Sequence, residues 1–455
     1  MQLLKQAFES RWTLTFTFIA VFVLTVLNLS VYGVYLLTAV FACTFIFADD
    51  LKNIFGIMLV VLYAIVDVVV ATVPWTTYAL CAGIGLVCII ARLAADVVQA
   101  KGGRKFEKGK LFLPLVIASA GYLLGGVVGN FMLIEFVAVL FLSLITLALY
   151  FIALNHTKGL KNELFFIFIL VAVYICGLIA VYYLQGGNLI YKITSDPVVF
   201  VGANNVHSAT ISVALGMIGF AGLGKGKPRD YLYYLGSAAM FGFSMITFCR
   251  IVMLISGGVF IAITVLMIRA SERKKRLVII VLIGAFFAVA ALAAATVISV
   301  IEGVNIFYSL IEKLENHFLS GRDLVWTWGL EHFIEHPLFG IGFITEETIY
   351  RSLRKTLFDY TLVSMHNTLF QWLASLGIVG TFAVMPFYCK KYAIVLAKDG
   401  KDKSFILLTL LFIALTGLMD SNALLDYFIY LATVLLVVSA ETAPVARKNA
   451  VKIND

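Results

Sequence analysis

The chain has 455 residues, 62% of them hydrophobic and only 13% charged, with a mean hydropathy of +1.01. About a quarter of a soluble globule's residues carry charge, so this composition excludes one. The formal net charge of +8 has no basic-aromatic module beside it, which argues against a nucleic-acid partner and for a membrane topology signal.

Apolar runs long enough to span a bilayer recur along nearly the whole chain. In order they cover roughly 12–28, 32–48, 54–72, 76–97, 111–129, 131–153, 164–184, 206–223, 231–248, 251–269, 277–300, 367–389, 404–419 and 423–440. The expectation is an all-α polytopic membrane protein of about fourteen transmembrane helices, forming one domain over 1–455. Twelve is possible, because 12–48 and 231–269 are almost continuous; the turns must fall near Asn28–Ser30 and near Arg250. The first run is followed at once by another and lacks a small-residue cleavage site, so it reads as a span and not as a leader.

Lys and Arg set the orientation. With a cytoplasmic N-terminus, the inner loops include AKGGRKFEKGK, GKGKPRD, SERKKR and KDGKDK. Only Lys192, Arg250, Lys313, Arg322, Arg351, Arg354 and Lys355 then fall outside, leaving 27 of the 34 basic residues within. This predicts a multi-pass protein of the cytoplasmic membrane with both termini cytoplasmic. The six cysteines, in or beside predicted spans and without CxxC spacing, read as small core residues.

Two outer segments break the rhythm of short loops: 185–205 and, much longer, 301–366. Val304, Phe307, Ile311, Leu314 and Phe318 make one apolar helical face in the latter. Ser320 and Asp323 have capping-box spacing, which predicts a second helix from there to Glu335, stopped by Pro337, Gly340 and Gly342. A third is expected over 346–359. These helices should lie along the outer interface, with Trp326 and Trp328 at headgroup level.

The chemistry-bearing residues gather on the same side. His207, His317, His332, His336 and His366 are outer; only His156 is inner. Arg250, in TFCRIVML, is either a functional intramembrane cation or an arginine snorkelling to lipid phosphate. Arg322 either faces a ligand or pairs with a nearby carboxylate. Facing one cavity, the two would clamp a diphosphate through their guanidinium forks. His366, where the long segment re-enters the membrane, could accept a hydroxyl proton or simply cap a helix. Asn367 could orient that ring or cap the helix itself. HFIEH (332–336) matches an HxxEH zinc-peptidase pattern, but Pro337 ends the helix at once and a third ligand, Glu346 or Glu347, would be needed. Asp67, Glu135, Asp420 and Asp426 are further membrane ionisables, open to proton coupling or to structural hydrogen bonding.

Arg322, Trp326 and Trp328, then HPLFGIG (336–342), then His366–Asn367 followed by nine residues and GIVG (377–380), resemble the C-terminal half of the O-antigen polymerase and O-antigen ligase family. GANNVHSATISVAL (202–215) is similar to the family's Asn-Pro-Asn helix start, with Asn205 retained. TFCRIVML is similar to its Ser-Arg step, with Cys249 in place of serine. The resemblance implies a GT-C-like fold, with 301–366 as its extracytoplasmic active-site loop, and glycosyl transfer on the outer membrane face without a metal or other cofactor. It implies an undecaprenyl-diphosphate-linked glycan as donor and a lipid-linked or envelope glycan as acceptor, with membrane lipids around them and a flippase and chain-length regulator as further partners. Arg250 and Arg322 would hold the diphosphate and His366 would be catalytic. Asn205, Lys192, Trp326, His336 and Asn367 would contribute to substrate binding. Polymerisation of repeat units is the leading expectation, with ligation of the finished glycan as the alternative. A flippase is a third, weakened because the chain shows no internal pseudosymmetry.

Overall fold

The computed structural model describes residues 2–27, 29–60, 74–129, 133–185, 206–227, 229–246, 250–285, 322–342, 367–398, 403–418 and 427–442. Every element of some length among them is a helix: α1 (Gln2–Glu9), α2 (Arg11–Val26), α3 (Ser30–Phe47), α4 (Lys52–Val60), α5 (Trp75–Lys101), α6 (Phe112–Val128), α7 (Leu133–His156) and α8 (Leu160–Gln185). There follow α9 (Val206–Gly224), α10 (Asp230–Ile246), α11 (Arg250–Ala270), α12 (Arg322–Glu335), α13 (Thr368–Leu396), α14 (Lys403–Gly417) and α15 (Tyr427–Glu441). Residues 274–285 are helical as well.

Six of the described helices are long and apolar enough to cross a membrane, or seven if the bent pair α1–α2 counts as one span. Four shorter apolar helices accompany them. The protein is therefore an all-helical membrane protein. The expected count of fourteen is not reached among the described residues, although each expected span coincides with helical structure over at least part of its length. The turn expected near Asn28–Ser30 is present: α2 ends at Val26 and α3 begins at Ser30.

At the end bearing the basic loops, charges tie helices together. The chain bends by 63° between α1 and α2, where Ser10 Oγ accepts from Trp12 N and caps α2. Arg11 Nε donates to buried Glu163 of α8 at 2.9 Å. His156, closing α7, is bonded on both ring nitrogens, to Asp96 at 2.8 Å and Arg92 at 2.7 Å, both from α5. Both of these buried carboxylates thus have a basic partner inside the fold, although Glu163 Oε1, Asp96 Oδ1 and Arg92 Nε make no hydrogen bond of their own among the described residues.

The opposite end is built on backbone contact. Gly121 and Gly125 of α6 lie one turn apart on one face. A Cβ on Gly121 would come within 2.6 Å of the Ala383 Cβ, and one on Gly125 within 2.6 Å of Leu376 Cδ2. Small residues four apart let α6 and α13 approach this closely, the seam favoured between helices in lipid.

α13 is not one straight span. Sixteen residues of straight helix would separate Trp372 from Tyr388 by about 24 Å, yet their rings meet edge to face at 4.6 Å. The break is Gly377, with φ 61° and ψ −165°, a conformation essentially restricted to glycine. The 368–376 half therefore folds back along the 378–396 half. The span expected at 367–389 is corrected accordingly: the helix runs on to Leu396 and is folded at Gly377, because one backbone torsion interrupts an apolar run that hydropathy reads as continuous.

Candidate active site

A fold-back inside a helix leaves backbone groups without their intrahelical partners, and each left unpaired would cost about 1–3 kcal/mol. They are taken up by the HPLFGIG turn that follows α12. Ile341 N donates to Ala374 O at 2.8 Å and Gly342 N to Ser375 O at 3.0 Å. In return, Ile378 N donates to Pro337 O at 2.8 Å and Val379 N to Leu338 O at 3.0 Å. The fit is tight on both sides. A Cβ on Gly377 would lie 2.5 Å from Leu338 C, and one on Gly340, itself at φ 68°, 2.5 Å from Ala374 O. Gly129, just past α6, meets the same turn: a Cβ there would lie 2.2 Å from Gly342 N. HPLFGIG (336–342) and GIVG (377–380), well separated in the chain, are thus one structural unit.

That unit aligns the ends of the helices it joins. α12 runs Arg322–Glu335, matching the helix expected to stop at Glu335, and lies against α13. Trp326 is half-buried, its ring 5.5 Å from Phe370 at the start of α13. Trp328 corrects an expectation: it is buried, 6% exposed, with its ring edge-on to His332 at 4.5 Å, and so packs against protein and is not exposed to headgroups. His336 is exposed; its backbone N–H donates to His332 O at 2.9 Å, closing the last turn.

Asn367 caps α13. Its Oδ1 accepts from Leu369 N at 2.9 Å and Phe370 N at 3.1 Å, while its Nδ2 donates to Leu418 O at the end of α14 at 2.8 Å. The side chain is committed to fixing where the half-helix starts, and so to fixing the point at which His366 joins it. Of the two roles considered for Asn367, the cap is the one seen.

His366, Asn205 and Lys192 lie outside the described residues, as do Ser320, Glu346, Glu347, Asp67, Asp420 and Asp426. Arg250 opens α11 and Arg322 opens α12, with their side chains outside the described set. For the HxxEH alternative, His332 Nδ1 is 3.1 Å from Glu335 Oε2. Among the described residues no three His, Cys, Asp or Glu side chains come together as a metal site.

One residue was missed by sequence reasoning. Lys391, counted there among the inner basic residues, is 1% exposed within the bundle. It helps line a cavity of about 150 Å³ together with Thr368, Leu369, Trp372, Tyr388 and Tyr430. Its ammonium stands 3.9 Å from the Tyr388 ring centroid and 5.1 Å from that of Tyr392. The signal was present: apolar and aromatic residues continue past it through YAIVL (392–396).

Residues 235–385, about a third of the chain, match the family described as O-antigen ligase. The match supports assignment to the O-antigen ligase/polymerase family. It contains α12, the HPLFGIG turn and the fold-back of α13. No curated protein matches the chain.

Proposed function

We propose that the protein polymerises undecaprenyl-diphosphate-linked oligosaccharide repeat units into a surface polysaccharide. Transfer would take place at the outer face of a bacterial cytoplasmic membrane, on a GT-C-like scaffold in which 301–366 is the active-site loop. The observation that carries this reading is the docking of HPLFGIG into the fold-back at Gly377, within the segment matched to the O-antigen ligase family. It couples the helix opened by Arg322 to the helix start next to His366.

His366 takes the proton from an acceptor hydroxyl as that oxygen attacks the anomeric carbon. The bond from that carbon to the phosphate oxygen breaks, and the diphosphate leaves with its negative charge. Arg250 and Arg322 hold that charge through bidentate hydrogen bonds, so the chemistry needs no metal. Asn205, Lys192, Trp326 and His336 contribute to holding the glycan and its diphosphate, and Asn367 fixes the helix start. A flippase delivers the donor and a chain-length regulator works beside the enzyme.

Ligation of a finished glycan to lipid A core or another envelope acceptor is the second reading. The family description and the spacing His366–Asn367, nine residues, Gly377, two residues, Gly380 favour it.

The test is turnover of lipid-linked oligosaccharide by the purified chain, wild type beside His366→Ala. Loss of a positioned base should cost about 10²–10⁴ in rate while donor binding is kept. Full activity of the variant would end the general-base assignment. A lengthened lipid-linked product identifies a polymerase, and transfer only to a separate acceptor a ligase.

A further inference from the structure

We propose that Lys391 and the start of the 368–376 half-helix form a further anion site, which takes a phosphate oxygen of the lipid-linked donor. This deepens the glycosyl-transfer reading above and rests on it for the identity of the ligand.

Burial with no counter-charge among the described residues is the first observation. Two other buried carboxylates are paired, Glu163 with Arg11 and Asp96 with Arg92 and His156. Lys391 has neither an ion pair nor a hydrogen bond among the described residues; ring faces of Tyr388, Tyr392 and Phe387 surround its ammonium. Ring faces offset part of the cost of taking an ammonium out of water, and an anion arriving beside it offsets far more.

The second observation is what shares its cavity. Thr368 and Leu369, the first residues of α13, line the same space as Lys391. A helix start carries partial positive charge, and half-helices inside membrane bundles aim that end at anionic substrate groups. Here the fold-back at Gly377 brings the half-helix start and the buried ammonium to one cavity. Its remaining walls are mostly aromatic and aliphatic, Trp372, Tyr388, Tyr430 and Ile413 among them, with Thr433 as a further polar side chain. Cationic at one point and mostly apolar elsewhere, the site fits a phosphate attached to a hydrocarbon chain. Asn367 bounds the same helix start, so an anion held there would lie next to the residue that follows His366.

The experiment uses the full chain in detergent, with farnesyl diphosphate as probe, and in nanodiscs of phosphatidylcholine with or without phosphatidylglycerol. Farnesyl diphosphate should raise the melting temperature of wild type. Lys391→Met and Lys391→Gln should each weaken its binding about tenfold or more, the loss expected for a charge-assisted hydrogen bond. KM for the lipid-linked donor should rise by a similar factor, with kcat changed less. Lys391→Met removes a buried charge that has no ion pair among the described residues, so it should melt no lower than wild type. Unchanged farnesyl diphosphate binding in both variants overturns the site. So does a Met variant that unfolds, since the ammonium would then be a structural strut. Stabilisation that depends on Lys391 but answers only to phosphatidylglycerol assigns the site to a membrane phospholipid and overturns the donor assignment. Farnesyl diphosphate bound through Lys391 by a protein that turns over no lipid-linked oligosaccharide would uphold the anion site while the glycosyl-transfer reading failed.

Discussion

At the end of the bundle that carries the basic loops, His156 is hydrogen-bonded to both Asp96 and Arg92, and Glu163 is held by Arg11. At the HPLFGIG turn, the joint between α12 and α13 is made almost wholly of peptide groups, while His336 is exposed. Both regions hold helices in place, but they spend different parts of the chain to do it. In the first, ionisable side chains are the fastener and little of their charge is left to meet a ligand. In the second, glycines and backbone amides are the fastener, so side chains on the flanking helices stay available for chemistry. Where a fold consumes its charges it is architecture; where it positions residues by backbone alone it can host a reaction.

The sharpest way to break this comparison is Gly377→Ala. The substitution forces a Cβ to within 2.5 Å of Leu338 and holds alanine at φ 61°, where only glycine is at ease. The turn must move or the fold-back must straighten, and either displaces the start of α13. Misplacement of about 1 Å can cost on the order of 10²-fold in rate. Turnover should therefore fall by at least that, and melting temperature should drop. Wild-type turnover in this variant would mean that the joint does not position the reacting groups.

Asp96→Ala probes the other side of the comparison. Removing one partner of a buried pair typically costs about 3–5 kcal/mol, so yield and melting temperature should fall. The protein that remains folded should keep its kcat/KM, because nothing in the Asp96–His156–Arg92 cluster reaches the joint. A specific loss of kcat with unchanged stability would join this cluster to the reaction and remove the distinction between the two ends.

Much of this was legible in the sequence, and the reasons for the remainder are physical. The bounds of α12 followed from local rules: Pro337 cannot continue a helix, and Gly340 and Gly342 take positive φ after it. The motif glycines were visible too, but the reason for them was not. Gly377 lies inside an apolar run, and averaging hydropathy over a window erases a fold made by a single torsion. Lys391 was misread for a related cause: ending the span at 389 turned a buried ammonium into a loop charge. Gly121, Gly125 and Gly129 did carry a readable signal, since glycines at every fourth position mark a close helix–helix seam.

The smallest expected effect belongs to His332, and its smallness is informative. His332 shares α12 with Arg322 and Trp326, so a zinc site there would make the joint a metal clasp and give both ends of the molecule the same logic. The geometry argues otherwise. Its ring is spent on Glu335 and on the edge of Trp328, while exposed His336 lies past the end of the helix. Partly exposed and bonded to an exposed carboxylate, His332 has little stability to lose. A surface substitution usually falls within about 0.5 kcal/mol, roughly a factor of two in an equilibrium constant. His332→Ala should therefore leave turnover within about twofold of wild type, and EDTA should leave it unchanged. A catalytic or structural zinc predicts the reverse, because ligand loss and chelation would each abolish activity together with the fold around the metal. Assaying both proteins with and without EDTA separates the cases: only if chelation and His332→Ala act alike, and strongly, does the joint owe its position to a metal and not to the peptide bonds that clasp Gly377.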